Sequence, residues 1–348
     1  MNKVRLGDVC TKGSSNIKQS DLVNNNGDYP IYGAGGFIKN VDFFTQDKPY
    51  IGIVKDGAGV GRVMKLPAFS SVIGTMQYII PNEDIDVSYL AYAMEHMNLS
   101  KYYMGAAIPH IYFKDYKNEK LPNYTKDEQA QIVHKLDLVC DLITKRNNQL
   151  SKLDELIKSR FVEMFGEVES LISKWQVMSF REVTINYNHT RKPVKESDRK
   201  KIQGIYPYYG ATGIVDYVND YKIDGTFLLV SEDGKALEFR NKNIAFIAKG
   251  KIWVNNHAHV LKCSSFINMI FLLYYMNYRD IKAWITGIDQ KKLNRDNLDN
   301  IPVGVPPIDL QNKFADFVTQ IEKQKATVQQ SIDKLETLKK SLMQEYFE

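Results

Sequence analysis

The chain states one pattern twice. Tyr29-Pro30-Ile31-Tyr32-Gly33-Ala34-Gly35-Gly36 returns as Tyr206-Pro207-Tyr208-Tyr209-Gly210-Ala211-Thr212-Gly213, an offset of 177 residues that also carries Asp56-Gly57 onto Asp233-Gly234. Further along the offset becomes 182, aligning Gly105 with Gly287, Gln129 with Gln311, Lys152-Leu153 with Lys334-Leu335, and Phe165 with Phe347. Solenoid repeats run to roughly 20 to 50 residues, so a period this long implies two globular domains, each followed by its own arm. With 348 residues the chain exceeds what one core usually organises, and each half can bury a core of its own.

Residues 1–124 alternate short β-rich runs, such as Pro49-Tyr50-Ile51-Gly52-Ile53-Val54 and Gln77-Tyr78-Ile79-Ile80, with Gly and Asn turns. A helix is predicted over 87–103, with a counterpart over 266–284, so the domains read as α+β and mostly β. At Thr125 the pattern changes. Thr125 and Glu128 form a capping box, and no Gly or Pro interrupts the chain to Phe165. Ile132, Leu136, Val139, Ile143, Leu150, Leu153, Ile157 and Met164 make a heptad seam broken only by Arg146 and Arg160. Its copy carries Phe314, Val318, Ile321, Val328, Ile332, Leu335, Leu342 and Tyr346, broken instead at Lys325 and Lys339. About 40 residues make a rod of roughly 60 Å, longer than a 125-residue domain is wide, so each helix is expected to project and pair with the other. Antiparallel pairing uses the repeat, placing one domain at each end. The expected division is a first domain 1–124, a helix 125–165, a connector 166–177, a second domain 178–306 and a helix 307–348.

No run approaches the roughly 18 apolar residues of a membrane span, and the first residues lack a signal-peptide pattern, which predicts a soluble cytoplasmic protein with no membrane partner. Cys10, Cys140 and Cys263 fit neither a disulfide framework nor a zinc site. The net charge of +5 permits nucleic-acid binding without arguing for it, so the distribution of charge has to decide.

No catalytic constellation stands out. His257-Ala258-His259 lacks a third metal ligand nearby, and its copy reads Thr75-Met76-Gln77, so a structural role is expected and no metal. Gly57-Ala58-Gly59-Val60-Gly61 lacks the strand-to-helix setting of a nucleotide loop and reads as a hairpin. No Asn-Pro dipeptide occurs, which removes the Asn-Pro-Pro-aromatic motif of an adenine methyltransferase. Binding chemistry remains. Lys55 and Arg62 flank the Gly-rich hairpin, Lys114 follows His110, and the second copy offers Lys235, Arg240, Lys291, Lys292 and Arg295, all suited to phosphate and base contacts. The basic run from Arg191 to Lys201 reads first as a solvated loop.

The repeated Tyr-Pro-x-Tyr-Gly-Ala-x-Gly segments, Trp253 through Leu261, Ile301 through Pro307 before Gln311, and the two terminal helices together resemble the specificity subunit of type I restriction-modification systems, over nearly the whole chain. That resemblance implies a non-catalytic protein with two target recognition domains on an antiparallel coiled coil. Each domain would read one half of a split, asymmetric site on double-stranded DNA, with the helices setting the unread spacer. It implies two methylation subunits, which bind S-adenosylmethionine, and restriction subunits, which use ATP and Mg, as partners, with no cofactor on this chain. Base-contacting residues vary in such a family, so the DNA-binding candidates come from loop positions: Tyr32, Lys39, Lys55, Arg62, His110 and Lys114 in the first domain, and Tyr209, Lys235, Arg240, Lys251, Lys291 and Lys292 in the second. Leu121-Pro122-Asn123-Tyr124 is poorer in proline than Ile301 to Pro307, which predicts a different join between the first domain and its helix.

Overall fold

A computed structural model describes residues 2–105, 109–288 and 290–348. The chain divides into two compact units, Met1–Asn148 with Gln329–Glu348, and Gln149–Val328. Each unit therefore holds one head and a portion of both long helices.

In the first unit, strands β1 (Lys3–Arg5), β2 (Cys10–Ser14), β3 (Tyr29–Gly33), β4 (Gly36–Val41), β5 (Tyr50–Val54), β6 (Val63–Leu66), β7 (Ser71–Val72), β8 (Met76–Pro81) and β9 (Lys120–Pro122) build three sheets. Their orders are β2-β8-β5-β6, β4-β3-β7 and β1-β9. β5 is buried along its whole length, as its unbroken apolar run requires of a central strand. The predicted helix over 87–103 is shorter, Val87–His96, because Asn98 takes a left-handed conformation (φ 50°) and only a 3₁₀ turn follows.

The second unit carries β10 (Gln176–Ser179), β11 (Thr184–Asn186), β12 (Gln203–Gly210), β13 (Gly213–Val218), β14 (Ile223–Ser231), β15 (Ala245–Val254), β16 (Ala258–Cys263) and β17 (Pro302–Val305). Six of them form one sheet, β11-β16-β14-β15-β12-β13, and β10 pairs with β17. The two heads differ here for a local reason. Long β15 reaches β12 in parallel through Trp253 and Val254, whereas in the first unit Pro67 and left-handed Phe69 (φ 54°) break the equivalent strand into β6 and β7, and β7 alone pairs with β3. The helix predicted over 266–284 spans Met269–Tyr278.

The connector is more than a link. Gly166, at φ +93°, ends the first long helix, Leu171 is fully buried beneath Gly304, and β10 begins at Gln176, so the second head starts inside the segment expected to join it.

The long helices run Lys126–Phe165 and Ile308–Phe347. The Thr125 amide donates to Glu128 Oε2 at 2.8 Å, and the Glu128 amide returns to Thr125 Oγ1 at 3.4 Å, which is the capping box read from the sequence. Within each unit the start of one helix lies beside the end of the other: Lys135 Nζ donates to the Tyr346 hydroxyl in the first, and Lys325 Nζ to Asp154 in the second. The pairing is antiparallel in both. Ile132, Leu136, Val139, Leu153, Ile157, Phe314, Val318, Ile321, Val328 and Ile332 are buried, while Ile143, Leu150, Leu335 and Leu342 are half-buried. Each fully buried aliphatic contributes on the order of 1.5–3 kcal/mol.

At the helix ends the seam changes register. Phe161 and Phe165 are buried in place of Met164, and Met343 and Phe347 lie deeper than Leu342 and Tyr346, because there a helix packs on a head rather than on its partner. Phe165 meets Phe271 at 5.0 Å between ring centroids, and its repeat equivalent Phe347 meets Tyr89, the equivalent of Phe271, at 5.4 Å. The last aromatic of each helix thus closes on the head of the other repeat.

The join between head and arm is the same in both halves, against the expectation drawn from the thinner proline stretch. Gln129 accepts the Asp86 amide and donates to the carbonyls of Asp84 and Tyr124; Gln311 accepts the Asn268 amide and donates to those of Phe266 and Pro306. Only backbone groups are recognised, so the proline content does not matter.

Candidate nucleic-acid interface

Three loops meet at one place in each head. In the first, the turn from β5 to β6 passes through Gly57, Gly59 and Gly61, all near φ +85°, and a Cβ on Gly61 would stand 2.5 Å from the Ser100 amide. This is the Gly-rich hairpin expected, not a phosphate loop. Met104 and His110 exchange paired amide–carbonyl bonds of 2.9 Å, Gly57 N–H donates to Pro109 O at 2.9 Å, and Ile111 N–H donates to Lys55 O at 2.9 Å. The third loop is the β3–β4 tip, whose Ala34 carbonyl accepts from Arg62 Nη1 at 3.0 Å.

The second head repeats three of these backbone contacts. Thr286 and Lys292 exchange bonds of 2.8 Å as Met104 and His110 do, Leu293 N–H reaches Glu232 O at 2.8 Å as Ile111 reaches Lys55, and Asp233 bridges Lys292 as Asp56 bridges His110. Gly105 and Gly287 share positive φ values of 99° and 94°. The Ala211 carbonyl accepts from Ser231 Oγ at 2.5 Å, replacing Arg62 with a different donor at the same acceptor.

The cationic candidates gather on this frame. Lys55 lies 3.8 Å from Asp56, Arg62 is exposed above Gly59, His110 sets its ring edge against Tyr112 at 5.0 Å, and Lys114 stands 5.3 Å over that same ring. In the second head Lys235 and Lys292 are exposed, and Lys291 Nζ donates to Gly287 O at 3.0 Å. The pair His110 and Lys292 occupies one structural position with two chemistries. Lys251 stands apart on β15, over the Tyr221 ring at 4.8 Å, and Tyr32 is half-buried on β3.

Two candidates belong to the scaffold instead. Tyr209 is 9% exposed and stacks on Phe246, whereas half-buried Tyr32, with the same strand pairings, has Met64 at the place of Phe246. Arg240 donates to the carbonyls of Met276, Asn277 and Arg279, capping a helix end, and burial pulls its pKa below the usual arginine range. Lys39 is also engaged, holding Leu22 O and Asn26 Oδ1 at 3.0 Å. Within the basic run, Arg191 and Arg199 pair with Glu232 and Asp216, whereas Lys195, Lys200 and Lys201 face solvent.

The histidine pair is structural. His257 Nδ1 sits 2.8 Å from Asp233 and orders the Asp-Gly turn, while buried His259 donates from Nε2 to Leu293 O at 2.7 Å and accepts from Asn188 at Nδ1. Burial lowers the His259 pKa, in keeping with a neutral ring. Among the described residues no three His, Cys, Asp or Glu side chains converge as metal ligands, and no helix is long and apolar enough to cross a membrane. Ser231, which fixes the second hairpin tip, carried no sequence signal beyond its closeness to the repeated Asp-Gly.

The chain is thus a two-part molecule, a duplicated head with cationic loops on a shared frame and paired helical arms. The type I restriction modification DNA specificity domain matches residues 1–152 and 172–337, and the chain belongs to that family. It is similar to a Haemophilus influenzae protein named as a type I restriction enzyme specificity subunit, 39% identical over 133 residues, covering 38% of this chain and 34% of that one. It is also similar to the MjaVIII specificity subunit of Methanocaldococcus jannaschii, 22% identical over 193 residues, covering 53% and 45%. The matched stretches thus span about a third to just under half of these relatives. The fold is shared with the crystal structure of a type I restriction-modification S subunit from M. genitalium (TM-score 0.63, 17% identity, 100% and 96% of the two chains). A chain from a study of complex assembly and conformational transition of the type I restriction-modification system also superposes (TM-score 0.51, 13% identity, 99% and 97%).

Proposed function

We propose that this chain is the non-catalytic reader of a type I restriction-modification complex, each head recognising one half of a bipartite, asymmetric target on double-stranded DNA. The observation that carries the reading is the duplicated three-loop frame with His110 in one copy and Lys292 in the other. One scaffold holding different side chains at one position is what reading two different half-sites requires. The 40-residue helices set the unread spacer. They also dock two methylation subunits: Leu138, Leu142, Leu156 and Leu338 are 44–50% exposed on helix surfaces, and Leu156 and Leu338 are repeat equivalents, as two copies of one partner would demand. In this reading S-adenosylmethionine binds the methylation subunits, and ATP and Mg serve the restriction subunits. Co-expression with the methylation subunits of the same host, followed by mapping of methylated adenines across the genome, tests it. A split motif with a fixed gap is expected; methylation without such a motif, or subunits that fail to co-purify, overturns it in favour of a protein-binding adaptor.

A further inference from the structure

Phe37 and Ile214 occupy one place in the repeat, the second residue of β4 and of β13, and both are large apolar side chains left 60% and 47% exposed. On a solvent-facing strand position that residue would ordinarily be polar. Their cross-strand neighbours are Tyr32 and Tyr209, and the Phe37 ring meets Tyr32 edge-on at 6.1 Å. The next residues, Ile38 and Val215, cover Gly33 and Gly210, where an added Cβ would stand 2.9 Å and 2.8 Å from them. Val215 is itself 55% exposed, so the apolar surface of the second hairpin spans both residues.

The tip beside them is bare. Gly36 (φ +105°) and Gly213 (φ +140°) have open space where a Cβ would be, so a ligand can approach the backbone closely. Arg62 stands beside the first tip and holds Ala34, and the second tip is tied at Ala211 through Ser231 to the segment whose Asp233 bridges Lys292. An apolar knuckle bordered by cations matches a ligand that is anionic outside and apolar within, which is duplex DNA with its phosphates and stacked bases.

We infer that Phe37 and Ile214 are base-contacting residues, each pressing an apolar side chain against the bases of its own head's half-target. The inference rests on the proposed function. It deepens that reading by naming residues at which the two halves differ: the tip Tyr-Gly-Ala-x-Gly is common to both copies, while the Phe and Ile that follow it are not.

The test uses the complex with its methylation subunits, the genome-wide methylation map, and binding to a duplex carrying the mapped target. Phe37→Ser is expected to lower methylation and binding at that target about ten-fold and to change the preferred bases in one half only, with Ile214→Ser doing the same in the other half. Melting temperatures should hold, since both side chains are largely exposed; should a serine variant fail to fold, Phe37→Leu and Ile214→Phe keep an apolar surface and must still alter the relative rates at one half-target. Folded variants with unchanged motif and rates overturn the inference, as does equal weakening on target and random duplexes. A wild-type complex that yields no split motif fails the underlying reading; a wild-type split motif with silent variants fails this inference alone.

Discussion

Replacing Gln129 with methionine should loosen the first head from its arm by an amount that can be worked out. The side chain is 1% exposed and makes three hydrogen bonds, to the Asp86 amide at 2.8 Å and to the carbonyls of Asp84 and Tyr124 at 3.1 and 2.9 Å. Methionine keeps the volume and strands one donor and two acceptors. Stranding a buried polar group costs about 1–3 kcal/mol, and Asp84 itself is exposed and can turn to water, so the two remaining groups sum to about 2–6 kcal/mol. Gln311 provides an internal control: it is fully buried, with bonds to Asn268, Phe266 and Pro306 at 2.8, 3.3 and 2.8 Å, so Gln311→Met should cost as much or more in the second unit. In urea unfolding followed unit by unit, a slope of about 2 kcal/mol per molar turns this into a midpoint shift of about 1–3 M. A shift below about 0.3 M in either unit, or a loss in one without the other, would refute the claim that these glutamines are equivalent clasps.

Three further outcomes follow from the same structure. Because burial lowers the His259 pKa, the folded state binds a proton less readily than the unfolded chain, so the second unit should keep its full stability above the ordinary histidine value near 6.5 and lose it as pH falls below that value through the lower folded-state pKa. A melting temperature that rises on acidification from pH 7.5 to 5.5 would contradict the neutral ring. Lys292→Gln should weaken DNA binding by the complex and reduce the slope of log affinity against log salt by about one, as a lost phosphate contact does; an unchanged slope would remove Lys292 from the phosphate-facing set. Inserting four residues after Gln149, with a matching four in the second long helix, adds about 6 Å of rise and should lengthen the mapped spacer by about two base pairs. An unaltered gap would end the view of the helices as a ruler.

The long helices were legible because they obey local rules: the Thr125 box, the absence of helix breakers, and a seam kept in heptads until the heads take over. The duplication was legible because it is literal. What escaped reading depends on contacts between distant residues. Arg240 looks like any loop cation until three carbonyls of a helix end, 36 to 39 residues away, surround it. Tyr209 and Tyr32 share the Pro-x-Tyr-Gly-Ala context and equivalent strand pairings, yet one is interior and the other half-buried, because Tyr209 stacks on Phe246 where the repeat equivalent beside Tyr32 is Met64. Most cationic loop candidates sit on the three-loop frame, but its assembly rests on backbone bonds and on donors as unlike as Arg62 and Ser231, which no motif search would pair.

The exchange of terminal aromatics also fixes an order of events during synthesis. The second unit is one continuous stretch, Gln149–Val328, whereas the first needs Gln329–Glu348 to bring Met343 and Phe347 into a core that already contains Ile51, Tyr89 and Leu136. The head made earliest on the ribosome is therefore the one finished last, waiting with part of its apolar surface uncovered while roughly 180 residues are added at about 5–20 per second. The chain cannot mature from front to back; its opening half is completed only when its closing turn of helix emerges.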